Sequence, residues 1–115
     1  MNLSNIINTI RANGGVSYSL TYGEVPEKGY AVSLNGFEET IPFNQLTENE
    51  LRNYLTLNST ELADNDNFFG AWINGDSVVL DVSTRVQTKR WAISRAKKEK
   101  QQAIYNLETK EVIFL

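Results

Sequence analysis

Between residues 68 and 85 the chain reads FFGAWINGDSVVLDVSTR, and apolar and polar side chains alternate through its second half. Val78, Leu80 and Val82 fall on one parity and Val79, Asp81 and Ser83 on the other, the period of a half-buried strand. Asn74-Gly75 interrupts the pattern as a two-residue hairpin turn would, with positive φ at both central positions. The segment therefore predicts a central hairpin, with Trp72 just before the turn, placed to cover a sheet face. Residues 16–22 alternate in the same way, with Val16, Tyr18, Leu20 and Tyr22 opposing Ser17, Ser19 and Thr21, and predict a strand with one buried face. Residues 23–29, with Pro26 and two glutamates, predict an exposed loop.

Two further hairpins are expected. Residues 30–34 and 37–43 flank Asn35-Gly36, and Pro42, which has no amide to donate, should end its strand or lie on an edge. Residues 103–107 and 111–115 flank Glu108, Thr109 and Lys110.

Helical periodicity accounts for the rest. Residues 3–12 carry Ile6, Ile7 and Ile10 on one side, with Ser4 as the expected N-cap and Asn13-Gly14-Gly15 as the stop. Thr47 and Glu50 form a capping box ahead of Leu51, Tyr54, Leu55 and Leu62, in a helix that should break near Asn58-Ser59-Thr60. Asp64, Asn65, Asp66 and Asn67 read as a polar linker. Thr88 is placed to cap a last helix running to about Gln101. Trp91, Ala92, Arg95, Ala96, Glu99 and Ala103 follow helical spacing there, which directs Trp91 and the alanines at the sheet. The order α-β-ββ-α-ββ-α-ββ implies an α+β fold, a mostly antiparallel sheet built from hairpins with helices packed on one face.

Composition narrows the chemistry. At 115 residues a single domain, 1–115, is expected, long enough to bury a core without staples. The chain has neither cysteine nor histidine, which removes disulfides, thiolate or imidazole metal sites, and Ser-His-Asp or Cys-His catalysis within one chain. The start, MNLSNIINTI, lacks the basic and apolar regions of a leader, and no apolar run reaches the roughly 18 residues of a membrane span, so a cytoplasmic location without membrane contact is expected.

Charge is unevenly spread. Arg11, Lys28 and Arg52 are the basic side chains before residue 85, among many acids, whereas Arg85, Lys89, Arg90, Arg95, Lys97, Lys98 and Lys100 crowd the next stretch around the single Glu99. Of these, Arg85, Lys89, Arg90, Lys97, Lys98 and Lys100 form a candidate binding face for phosphates or for an acidic protein surface. The same charges also suit a solvated helix whose C-terminal cations offset the macrodipole. With Trp91 directed inward, a stacking platform for single strands is not expected. No catalytic, cofactor or metal residues are assigned. Asp64 and Asp66 begin like a calcium loop, but Phe68 takes the next ligand position and the glycine is missing. Glu108-Thr109-Lys110 with Asp81 or Asp76 would be the residues of a metal-dependent hydrolase, though the triplet falls in a turn.

Three segments, Gly29-Tyr30-Ala31-Val32-Ser33, Gly70-Ala71-Trp72 leading to Leu80-Asp81-Val82-Ser83, and Ala103-Ile104-Tyr105-Asn106-Leu107-Glu108-Thr109, together resemble small uncharacterised proteins encoded by phages and by conjugative or integrated elements of Gram-positive bacteria. The resemblance spans residues 14–115. It implies a mobile-element origin, and small acidic proteins of such elements often act by binding, inhibitors of host defence such as anti-CRISPR proteins among them. The expected function is thus a non-enzymatic binding protein acting on a host or element protein. The alternatives are a nucleic-acid-binding accessory protein using the basic helix at 88–101, and a metal-dependent hydrolase.

Overall fold

The computed structural model describes residues 2–20 and 27–115. Its longest strand is β5 (Ser77–Val86), and the elements before it are α1 (Leu3–Asn13), β1 (Gly15–Tyr18), β2 (Tyr30–Ser33), β3 (Glu39–Pro42), a 3-10 turn (Phe43–Gln45), α2 (Glu48–Leu57), α3 (Ser59–Leu62) and β4 (Asn67–Asn74). After it come α4 (Lys89–Lys98), β6 (Ala103–Asn106) and β7 (Glu111–Phe114). The seven strands form one sheet in the order β1-β4-β5-β2-β6-β7, with β3 also paired to β5. Every described pairing is antiparallel, so the fold is α+β in a single domain, as expected.

The register separates the two faces. Val78, Leu80, Val82, Thr84 and Val86 share a parity on β5, and their partners on one side are Ile73, Ala71, Phe69 and Asn67 of β4. On the other side Val32 and Tyr30 of β2 meet Thr84 and Val86. The buried clusters are drawn from this parity. One joins Phe69, Ala71, Val78, Leu80 and Val82 to Ile6, Ile7 and Ile10 of α1, Leu51 and Tyr54 of α2, and Leu62 of α3. The other joins Val32 and Ile104 to Ala92 and Ala96 of α4. All the described helices therefore lie on one face of the sheet.

The caps show why the helices start where they do. Thr47 Oγ1 accepts from the Glu50 amide at 3.2 Å, and Thr88 Oγ1 accepts from the Trp91 amide at 3.4 Å. At α1 the cap is Asn2 rather than Ser4, its Oδ1 accepting from the Asn5 amide at 2.8 Å. The break at Asn58 falls as read: its side chain donates to the Tyr54 carbonyl at 2.9 Å, competing with the ladder and separating α2 from α3. α4 ends at Lys98, short of Gln101, and Ala103 belongs to β6.

Three expectations about strands are corrected. The strand at 16–22 stops at Tyr18; Leu20 is exposed, and Thr21, Tyr22 and residues 23–26 of the expected loop lie outside the described residues. In the central hairpin Asn74 pairs with Ser77, so Gly75 and Asp76 are the loop residues. Of these two, Gly75 (φ 63°) alone has positive φ, the requirement of a II′ turn rather than of I′.

The third correction is topological. Residues 30–34 and 37–43 do not pair with one another. β2 lies along β5 from Ser83 to Val86 and β3 from Ser77 to Leu80, and the Leu34 amide donates to the Val82 carbonyl between them. Asn35-Gly36 is a jog between two collinear segments, with Gly36 at φ 95°. A ten-residue strand has an edge long enough to satisfy the amides of both segments in turn, and folding them on each other would leave that edge bare. Pro42 sits opposite Ser77 at the outer end, where its missing N–H costs no bond in the β3–β5 ladder.

β5 is buried on both faces from Val78 to Thr84, not on one. On the face without helices Trp72 stands opposite Val79, and Gly70 opposite Asp81. Ser33 Oγ and Ser83 Oγ donate to the Asp81 carboxylate at 3.0 and 3.2 Å. A Cβ on Gly70 would run into Asp81 Oδ1, so the missing side chain is what lets the carboxylate lie flat against the sheet.

Candidate functional site

α4 crosses β2 and β6 with Ala92 and Ala96 fully buried against Val32 and Ile104. Alanine keeps the helix close to the strands, so every longer side chain is pushed sideways or outward. Lys89, Arg90, Lys97 and Lys98 are exposed, as expected of a basic face. The other two members of the candidate set lie outside the helix. Lys100 follows the helix in a left-handed conformation (φ 59°). Arg85 lies on the opposite face of the sheet, where its Nε donates to the Lys28 carbonyl at 2.6 Å. It holds the entry to β2 and is not part of the α4 surface.

Trp91 overturns the reading that placed it in the core. It is 64% exposed. One residue ahead of Ala92, its direction on the helix is shared at i+4 and i+7 by Arg95 and Lys98, which are both charged, and the same spacing in the sequence was the available signal. Trp91, Ser94, Arg95 and Lys98, with Val86 at the end of β5, line an open hollow of about 270 Å³. Arg95 Nε donates to Glu99 Oε2 at 3.2 Å, and Glu99 Oε1 accepts from the Asn35 amide at 3.0 Å. That amide, more than the guanidinium, holds the Glu99 carboxyl below its usual range. Arg95 is thereby anchored beside Trp91, and the helix end is tied to the jog between β2 and β3.

A larger hollow, about 590 Å³, lies at the far end of the sheet among Arg11, Pro42, Phe43, Asn44, Gly75 and Asp76. There Arg11 stands over the Phe43 ring at 6.0 Å and Asp76 adds a carboxylate, so it lacks the surplus of charge found on α4. Acidic groups are exposed elsewhere on the molecule: Glu38 and Glu39 at β3, Glu48 and Glu50 on α2, and Asp64 and Asp66 after α3, the last beside Arg85 at the end of β5 away from the hairpin loop.

The carboxylates named for hydrolysis are not brought together. Asp81 is buried in mid-strand, and burial raises its pKa against the opposing pull of its two serine donors. Asp76 is in the hairpin loop and Glu108 in the β6–β7 turn, where Asn106 Oδ1 accepts from the Glu108 and Thr109 amides. Among the described residues no three acidic side chains gather as a metal site, and Asp64 Oδ1 is engaged by the Asp66 amide. No described helix is long and apolar enough to cross a membrane.

No protein-family model matches the chain, and no curated protein or solved structure matches it either.

Proposed function

We propose that this chain is a non-enzymatic binding protein that engages single-stranded nucleic acid through α4. The observation that carries this reading is the exposed Trp91 within a basic helix surface. An indole open to solvent offers a stacking face to any base; Arg95 and Lys98 stand beside it in the hollow, and the exposed Lys89, Arg90 and Lys97 of the same helix add charge for the flanking phosphates. The exposed carboxylates of β3 and α2 repel an anionic strand and would favour its approach to α4.

The test is fluorescence anisotropy with labelled single-stranded RNA and DNA oligonucleotides across a salt series. Binding should weaken with salt, with a slope of about 0.7 per phosphate contacted in a plot of log K against log salt. Trp91→Ala should lower affinity by about 1–3 kcal/mol, the usual contribution of one stacked base. Lys97→Glu with Lys98→Glu should flatten the salt slope. Affinity unchanged by both substitutions would remove α4 from the reading.

A second reading, action on a host or element protein as an inhibitor of the kind the mobile-element resemblance implies, is favoured by the exposed carboxylates of α2 and β3, which could imitate nucleic acid. Capture of the tagged protein from lysate, with and without nuclease, separates the two. A protein partner that survives nuclease and is lost on reversing Glu48 and Glu50 would support it.

A further inference from the structure

β7 ends the sheet, and no described strand pairs on its outer side. The Leu115 amide donates to the Gln102 carbonyl at 2.9 Å, and Ile113 pairs with Ile104 and Glu111 with Asn106. In an antiparallel ladder the inward and outward residues alternate. Glu111, Ile113 and Leu115 therefore turn their backbone groups to β6, and those of Val112 and Phe114 point away from the sheet. The side chains of the same two residues lie on the helix-free face, where Val112 is 55% and Phe114 79% exposed beside Tyr105 and Ala103. The strand is short and its one charge, Glu111, is at its start; its outward-facing pair, Val112 and Phe114, carries no proline, lysine or bulge to block pairing.

We infer that β7 is the interface of a homodimer, in which two copies pair antiparallel about a two-fold axis at Ile113 and continue one sheet into the next. An edge of unpaired amides asks for another extended strand, and this strand is complementary to itself. About Ile113, Val112 exchanges backbone hydrogen bonds with Phe114 of the second copy, Phe114 with its Val112, and Ile113 lies against Ile113 on the helix side. Faces match throughout, and the helix-free side gains an unbroken row of Tyr105, Val112, and the second copy's Phe114 and Ala103. Centring one residue earlier would set Glu111 against Ile113 of the second copy. The register at Ile113 sets Glu111 instead beside Leu115 of the second copy, at the ends of the ladder, and leaves Val112, Ile113 and Phe114 as its apolar centre. The edge at β3 offers no equivalent, because Pro42, whose backbone faces outward there, has no amide to donate.

The inference is independent of what α4 binds. Sedimentation equilibrium over a concentration series should show a monomer–dimer equilibrium, and amide exchange should show the Val112 and Phe114 amides becoming protected as concentration rises. Those of Glu111 and Ile113 should stay protected throughout. Val112→Pro removes an outward donor while leaving the β6–β7 bonds in place, and Phe114→Lys puts a charge in the apolar row; each should abolish the dimer with the circular dichroism spectrum unchanged. A chain that remains monomeric across the series overturns the proposal, as does a dimer in which the Val112 and Phe114 amides exchange freely. The exchange measurement on the unmodified chain decides the matter even where a variant does not fold.

Discussion

The helix-covered face of the sheet has two halves of very different depth. Under α1, α2 and α3 large side chains meet: the Tyr54 ring stands edge-on to Phe69 at 5.8 Å, and its hydroxyl donates to the Phe37 carbonyl at 2.7 Å. Isoleucines of α1 and leucines of α2 and α3 close around them. Burial also pushes the Tyr54 hydroxyl's pKa upward, so the group stays neutral and donates its bond. Under α4 the helix contributes two alanines to the interior with Ile93 half-buried at their side, and Trp91 and its lysines are turned to solvent. One half spends its hydrophobic side chains on stability; the other keeps its large and charged groups outside, where they can meet a ligand. A helix held by small residues is a shelf for function rather than a wall of the core.

The difference should appear first in truncations. Phe69→Ala is expected to cost about 3–5 kcal/mol and Ile104→Val about 0.5–1.5 kcal/mol, read from urea midpoints. Equal losses would break the contrast. Next, Ala96→Leu should destabilise by about 1–3 kcal/mol, because α4 has no room to absorb a larger side chain without lifting from β2. Gly70→Ala is expected to fall in the same range, about 1–3 kcal/mol, by forcing the Asp81 carboxylate off Ser33 and Ser83. A neutral result there would show that the carboxylate has another place to lie.

Titration divides the molecule with opposite signs. Asp81 has a folded pKa above its unfolded one, so the folded state binds its proton more tightly. Its favourable contribution is present below the ordinary carboxylate range and is lost as pH rises through the raised value. Glu99 is depressed, so its contribution is present above that range and is lost as pH falls through the lowered value. Urea midpoints across pH should therefore lose their alkaline-side decline in Asp81→Asn and part of their acid-side decline in Glu99→Gln. The reverse assignment would mean that the serine donors outweigh burial at Asp81. The smallest effect on stability is expected from Trp91→Ala, within about 0.5 kcal/mol, as for an exposed side chain outside the packing.

Local chemistry made much of this legible. Thr47, Thr88 and Asn58 mark helix ends through short-range hydrogen bonds, and the alternation of β5 with the turn composition before it identifies the central hairpin. What failed depended on partners distant in sequence. Asn35-Gly36 has the composition of a hairpin turn, but whether two segments pair with each other or with a third strand is set by the length of β5, some forty residues on. The alternation of β5 predicts one buried face, whereas both faces are buried from Val78 to Thr84. At the site the basic residues were readable, and Arg85 was misgrouped because its strand carries it to the other face. Helical spacing groups Trp91 with the alanines that face the sheet, but the stripe it shares with Arg95 and Lys98 points outward.

β5 lies under both halves. Its first residues, with β3 beside them, belong to the deep cluster, and Ser83, Thr84, Arg85 and Val86 carry β2, on which α4 rests. The thin half therefore has no separate melting of its own: to release α4's platform, the chain must fray a strand whose other end is clamped by Phe69 and Tyr54. Opening should spread inward from β7 and stop at β5, leaving the amides of Val78, Leu80 and Val82 as the last to exchange. A shallow functional shelf is in this way kept inside one cooperative unit by a single shared backbone.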